Sequence, residues 1–112
     1  MTYEEFNTMT DAILENCKDV LRLKAGEYAN EKDRLCQFKQ IAPLINETPE
    51  QVLIGMWLKH VQSICEYVNV LSKGKSISIE KWDEKIIDSI NYMVLLRGLL
   101  VEKESIKYTL GE

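Results

Sequence analysis

Apolar residues recur every three or four positions along most of this chain. From Thr2 to about Ala25 they fall at Phe6, Met9, Ile13, Cys17, Val20, Leu21 and Leu23, the spacing of one face of a helix. Gly26 is placed to loosen or end that helix, with "EYANEKD" as the connection. A short helix follows over Arg34 to Ile41. "TPEQ" then sets Thr48 as N-cap, Pro49 at the first helical position and Gln51 where a capping box needs it. Val52, Leu53, Met56, Trp57, Ile64, Val68 and Leu71 carry the next stripe to a stop at Gly74. Ser78 caps the last long helix, roughly Ile79 to Glu104, and "SIKYTLGE" is left as a frayed end, short strand or arm. "KSISI" is the one weak strand signal. The pattern predicts an all-α fold: one domain over residues 1–112, a bundle of three long helices and one short helix.

The last helix is unusual. At about 100° per residue, Glu84, Asp88, Asn91 and Leu95 share a sector of roughly 40°. Trp82, Ile86, Ile90, Met93 and Leu100 lie nearly opposite and are expected to form its core stripe. Like charges at i and i+4 disfavour an isolated helix. A divalent cation would reverse that, and Mg²⁺ accepts hard oxygen ligands with waters or a phosphate completing its shell. The plainer reading is a solvated acidic face. Leu95, Leu96 and Leu99 add apolar groups on other sides of the helix. A helix apolar all round must be buried, so a homodimer or homotetramer is expected.

Composition narrows the field. The net charge is −4, with no cluster of basic residues and interleaved aromatics, so no nucleic-acid partner is expected. The longest strongly apolar stretch, "MVLLRGLLV", is too short to span a bilayer, so no membrane is expected either. Cys17, Cys36 and Cys65 form no CxxC pair and read as small buried hydrophobes of a cytoplasmic protein. No Walker-type loop, zinc-ligand spacing or serine-nucleophile motif is present.

Three segments, "KAGEYANEKDRLCQF", "MWLKHVQSI" and "WDEKIIDSINYMVLLRGLL", carry a resemblance in that order. They resemble small phage and mobile-element proteins grouped with the all-α nucleoside triphosphate pyrophosphatases of the MazG type and with phage nucleotide-modification-associated domains. The matching residues are Glu27-Tyr28, Asp33-Arg34-Leu35 with Phe38, Lys59-His60, and Glu84-Lys85 with Asp88, Asn91 and Tyr92. MazG-type enzymes bind Mg²⁺ through Glu-x-x-Glu on one helix and Glu-x-x-Asp on a later one, and release pyrophosphate from a nucleotide. In this chain Lys59, His60 and Ser63 stand where the first pair would be, and Lys85 stands where the glutamate of the second pair would be.

The resemblance implies a Mg²⁺-dependent (or Mn²⁺-dependent) nucleotide pyrophosphohydrolase. Glu84, Asp88 and Glu27 would hold the metal, with His60 orienting or deprotonating water and Lys59 offsetting phosphate charge. Lys24, Asp33, Arg34, Asn91 and Tyr92 would face the substrate. His60 also lies beside the stripe of its own helix, where a hydrogen-bonded core histidine is the alternative. A second class of function is a helical module without catalysis, which oligomerises and binds a nucleotide or a protein.

Overall fold

In a computed structural model the described residues are 1–28 and 32–104, the side chains of Glu27 and Tyr28 excepted. They are all-α, with no strand. Helix α1 spans Tyr3–Tyr28, α2 Cys36–Ile41, α3 Pro49–Ser72 and α4 Ile79–Glu104. A single 3-10 helix, Ala42–Ile45, joins α2 to the α3 cap. "KSISI" forms no strand and leads into α4, and the tail "SIKYTLGE" lies outside the described residues. Among the described residues, no helix is long and apolar enough to cross a membrane.

The capping box at α3 forms as its residue types require. Thr48 Oγ1 accepts from the Gln51 N–H at 3.2 Å, and the Gln51 side chain accepts from the Thr48 N–H at 2.8 Å. Two N–H groups left over at the helix start are thus satisfied. At the other end Gly74 takes φ 78°, a left-handed turn that lets α4 fold back along α3. Asn46 takes the same kind of conformation, φ 54°, after the 3-10 helix.

The core sits where α2, the first half of α3 and the second half of α4 converge. Leu35, Phe38, Ala42, Val52, Leu53 and Leu99 form it, with Phe38 and Leu53 fully buried. Tyr92, Met93, Leu95 and Leu96 pack around that cluster. The expected face of α4 needs correction. Its buried residues are Ile87, Asn91 and Leu99, so Asn91 of the polar row is turned inward while Glu84 stays exposed; Met93 of the expected stripe packs on the core, and Leu100, assigned to it, is exposed. Of the three leucines that motivated an oligomer, Leu99 is buried and Leu95 and Leu96 are half-buried against the chain's own core.

Helix α1 also departs from expectation. Gly26 neither ends nor breaks it, because the helix runs on to Tyr28. Of its apolar stripe only Cys17 is buried; Phe6, Met9 and Leu23 are exposed. The reason is a lack of neighbours, since α1 lies against α4 and not along α3. Cys65 is likewise exposed and Cys36 half-buried, so of the cysteines only Cys17 is a core residue. Burial raises the Cys17 thiol pKa, because the thiolate is disfavoured away from water.

Truncating Phe38 to Ala should cost about 3–5 kcal/mol, the usual loss for a fully buried aromatic. Leu44→Ala, at an exposed position of the 3-10 helix, should change stability by less than about 0.5 kcal/mol. Urea unfolding of both variants checks the placement of the core.

Candidate functional site

A cleft of about 330 Å³ opens beside the core, lined from α1 by Leu21 and Lys24 and from the α2 region by Arg34 and Gln37. Met56 and His60 of α3 and Asp88, Asn91, Tyr92 and Leu95 of α4 complete its wall. This is the lower end of the size range of small-molecule sites. Among the described residues its charged groups are two cations and one carboxylate, a local positive excess in a chain of net charge −4.

The helices place these groups for simple reasons. His60 and Asp88 stand equally far in sequence from Gly74, and an antiparallel hairpin brings such positions level. His60 Nδ1 lies 3.9 Å from Asp88 Oδ2. That is beyond a direct hydrogen bond but close enough for charge to be felt. The His60 ring also packs against Tyr92, with centroids 5.1 Å apart. Asp88 is 12% exposed, and its other oxygen accepts from Lys24 Nζ at 3.0 Å. This ion pair ties α1 to α4.

One turn away, Asn91 is 6% exposed and its Nδ2 donates to the Cys17 carbonyl at 3.0 Å. That bond fixes which end of the amide faces α1, since only the nitrogen can donate to a carbonyl. Asn91 Oδ1 therefore turns away from Cys17, buried and with no hydrogen-bond partner among the described residues. Arg34 is in a similar condition. Its Nη2 donates to the Leu21 carbonyl at 3.4 Å, whereas Nη1 is buried with no partner among the described residues. Over nine in ten buried polar groups in folded proteins are satisfied. Here a donor and an acceptor, both on side chains lining one cleft, are not.

Burial lowers the His60 pKa from its ordinary 6.5, and Lys85 and Lys24 push the same way; the Asp88 carboxylate and, more weakly, Glu84 oppose this. The imidazole is thus neutral at pH 7, with a carboxylate beside it.

Other residues singled out in the sequence lie elsewhere. Lys59 and Glu84 are exposed and do not line the cleft. The side chain of Glu27 lies outside the described residues. Asp33 accepts from the Leu35 N–H at 2.9 Å and pairs with Lys39 at 2.8 Å, outside the cleft wall. Lys39 also bridges to Glu102, so this network ties the α2 region to the end of α4. The hydrogen bond from Lys39, then that from Leu35, holds the Asp33 carboxyl below its usual range; Asp33, then Glu102, raises Lys39.

Sequence reasoning missed Gln37, Met56 and Leu21 as wall residues. Met56 and Leu21 carried a signal, as parts of the α3 and α1 stripes. It also missed the Trp57 indole, whose N–H donates to Ser89 Oγ at 3.0 Å and pins α3 to α4.

Among the described residues no three histidine, cysteine or acidic side chains converge as metal ligands. Among the described residues Asp88 is the one carboxylate in the cleft wall, and it pairs with Lys24. The donors described there suit an oxyanion better than a divalent cation. Comparison of the chain with protein-family models, curated proteins and solved structures yields no match.

The neutral state of His60 has a direct signature. As the chain's one histidine, it should titrate below 6.5 by NMR, and Asp88→Asn should lower the midpoint further by removing the opposing charge. The sign for stability follows. The unfolded chain takes up the proton before the folded one does. His60 therefore costs nothing above the unfolded value and destabilises the fold as pH falls from about 6.5 through the lower folded value. A midpoint at or above 6.5 would contradict the buried neutral imidazole.

Proposed function

We propose that the chain is a MazG-like helical module that binds a nucleotide in the cleft between α1, α2, α3 and α4. The observation that carries this reading is the unsatisfied pair, Arg34 Nη1 and Asn91 Oδ1. A buried donor or acceptor without a partner costs about 1–3 kcal/mol, and a bound ligand recovers that cost. The two atoms ask for complementary chemistry. Arg34 calls for an anionic acceptor, and a phosphate oxygen answers it with a charge-assisted hydrogen bond. Asn91 Oδ1 calls for an N–H or O–H donor, which a sugar hydroxyl or a base amino group supplies. Lys24 adds a second cation, and the phosphate competes with Asp88 for it. Tyr92, Leu95 and Met56 offer an apolar wall to the remainder of the ligand.

A second reading, hydrolysis of the bound nucleotide to a monophosphate and pyrophosphate, is favoured by one observation. A neutral His60 stands beside Asp88, and an imidazole in that state accepts a proton from water while a carboxylate stabilises the cation formed. Mg²⁺ or Mn²⁺ belongs to this reading as an assay component accompanying the phosphates. Of the carboxylates proposed for it, Asp88 lines the cleft, Glu84 does not, and the Glu27 side chain lies outside the described residues.

Isothermal titration with a panel of nucleoside triphosphates tests the primary reading. At least one should bind, and Arg34→Gln should weaken it about tenfold or more, the effect of losing one charge-assisted bond. Circular dichroism of the variant guards against unfolding. Binding that ignores Arg34→Gln would remove the cleft from the account. Pyrophosphate release with Mg²⁺ or Mn²⁺, lost in His60→Gln, would establish the second reading as well.

A further inference from the structure

Asp88 and Asn91 stand three residues apart on α4, so their side chains leave one face of the helix with Cβ atoms about 5–6 Å apart. Both line the cleft. Each offers an oxygen that receives no hydrogen bond from the described residues. For Asn91 this is Oδ1, buried on a side chain whose nitrogen is spent on the Cys17 carbonyl. For Asp88 it is Oδ2: Oδ1 accepts from Lys24, and His60 Nδ1, 3.9 Å from Oδ2, is too far to donate.

A phosphate seated on Arg34 and Lys24 takes Lys24 away from Asp88, a carboxylate only 12% exposed. Leaving such a group unpaired is costly. The ligand that brings the phosphate must therefore bring donors for α4 as well. Lys24 Nζ lies 3.0 Å from Asp88, so those donors sit close to the phosphate. In a nucleotide the sugar is bonded to the phosphate and the base edge lies beyond it, so the groups within reach are the sugar hydroxyls. A vicinal diol supplies an O–H for each oxygen. A hydroxyl also accepts, so one that donates to Asp88 Oδ2 can receive a ring N–H of His60 and bridge the gap between them; a base amino group only donates. A carboxylate reading a ribose hydroxyl is the device that dinucleotide-binding folds use.

Given the nucleotide reading of this cleft, on which the sugar assignment rests, we infer that the cleft selects ribonucleotides. Asp88 and Asn91 hold the 2′- and 3′-hydroxyls while Arg34 and Lys24 hold the phosphate. Asp88 is then a specificity-determining residue. Without a diol it only competes with the phosphate for Lys24; with one it contributes to binding.

The test is isothermal titration, without added divalent cation, of the common ribonucleoside triphosphates and their 2′-deoxy and 2′,3′-dideoxy counterparts. Affinity should fall about tenfold with each hydroxyl removed, the effect of one buried hydrogen bond lost. Asp88→Ala should cut the ribo-to-dideoxy ratio about tenfold, a change that a general loss of structure does not produce. Arg34→Gln should weaken all the ligands alike and leave that ratio in place. Dideoxy ligands that bind the parent chain as tightly as the ribo ligands, and are weakened by Arg34→Gln, would overturn the sugar assignment and keep the nucleotide reading. Binding of none of the ligands would overturn both. The parent chain alone gives the ratio, so the assignment stays testable if Asp88→Ala fails to fold.

Discussion

The buried amide of Asn91 is the contact on which the arrangement of this chain depends. Helix α1 lies against α4, with Cys17 buried and Ile13, Val20 and Leu21 half-buried. Two polar contacts add direction to that packing: the Asn91 amide on the Cys17 carbonyl at 3.0 Å and, one turn away, the Lys24–Asp88 ion pair. Such contacts are directional, so they fix the rotation and height of α1 where a loose apolar contact would let it slide. Fixing α1 fixes Leu21 and Lys24, and Leu21 in turn receives Arg34. The cleft is a consequence of that chain of contacts.

The same arrangement explains why a cleft exists there at all. A core residue at position 91 would have filled the gap between α1 and α4. Asparagine spends its nitrogen on the backbone and leaves its oxygen facing inward without a partner. Arg34 does likewise with one of its terminal nitrogens. Both residues line the cleft, and buried polar atoms left without partners make a poor core, the kind of departure from efficient packing found at functional sites.

Much of this was legible in the sequence, and the failures have physical causes. The helices were read within a few residues because caps and stops are local chemistry: Thr48, Pro49 and Gln51 at one end of α3, Gly74 at the other. The level placement of His60 and Asp88 followed from hairpin geometry alone. Which face of α4 points inward was misread, because hydrophobic periodicity assigns Asn91 and Asp88 to solvent and cannot foresee that a backbone carbonyl from α1 will meet them. Lys59 looked equivalent to His60 as its neighbour in sequence, yet adjacent residues on a helix point about 100° apart, and only His60 reaches the cleft. The α1 stripe was read as core because periodicity reports an apolar face and not whether the same chain supplies its cover.

If Arg34 and Asn91 receive a phosphate-bearing ligand with a hydrogen-bond donor, as proposed, both side chains must respond when it binds. The most direct measurement is an NMR titration of the labelled chain with a nucleoside triphosphate, followed through the Asn91 side-chain amide, the Arg34 guanidinium and the His60 ring. These signals should shift together and saturably, while those of the exposed Lys59 and of the Asp33–Lys39 pair stay in place. Saturable shifts confined to residues outside the cleft, with Asn91 and Arg34 unmoved, would contradict the proposal.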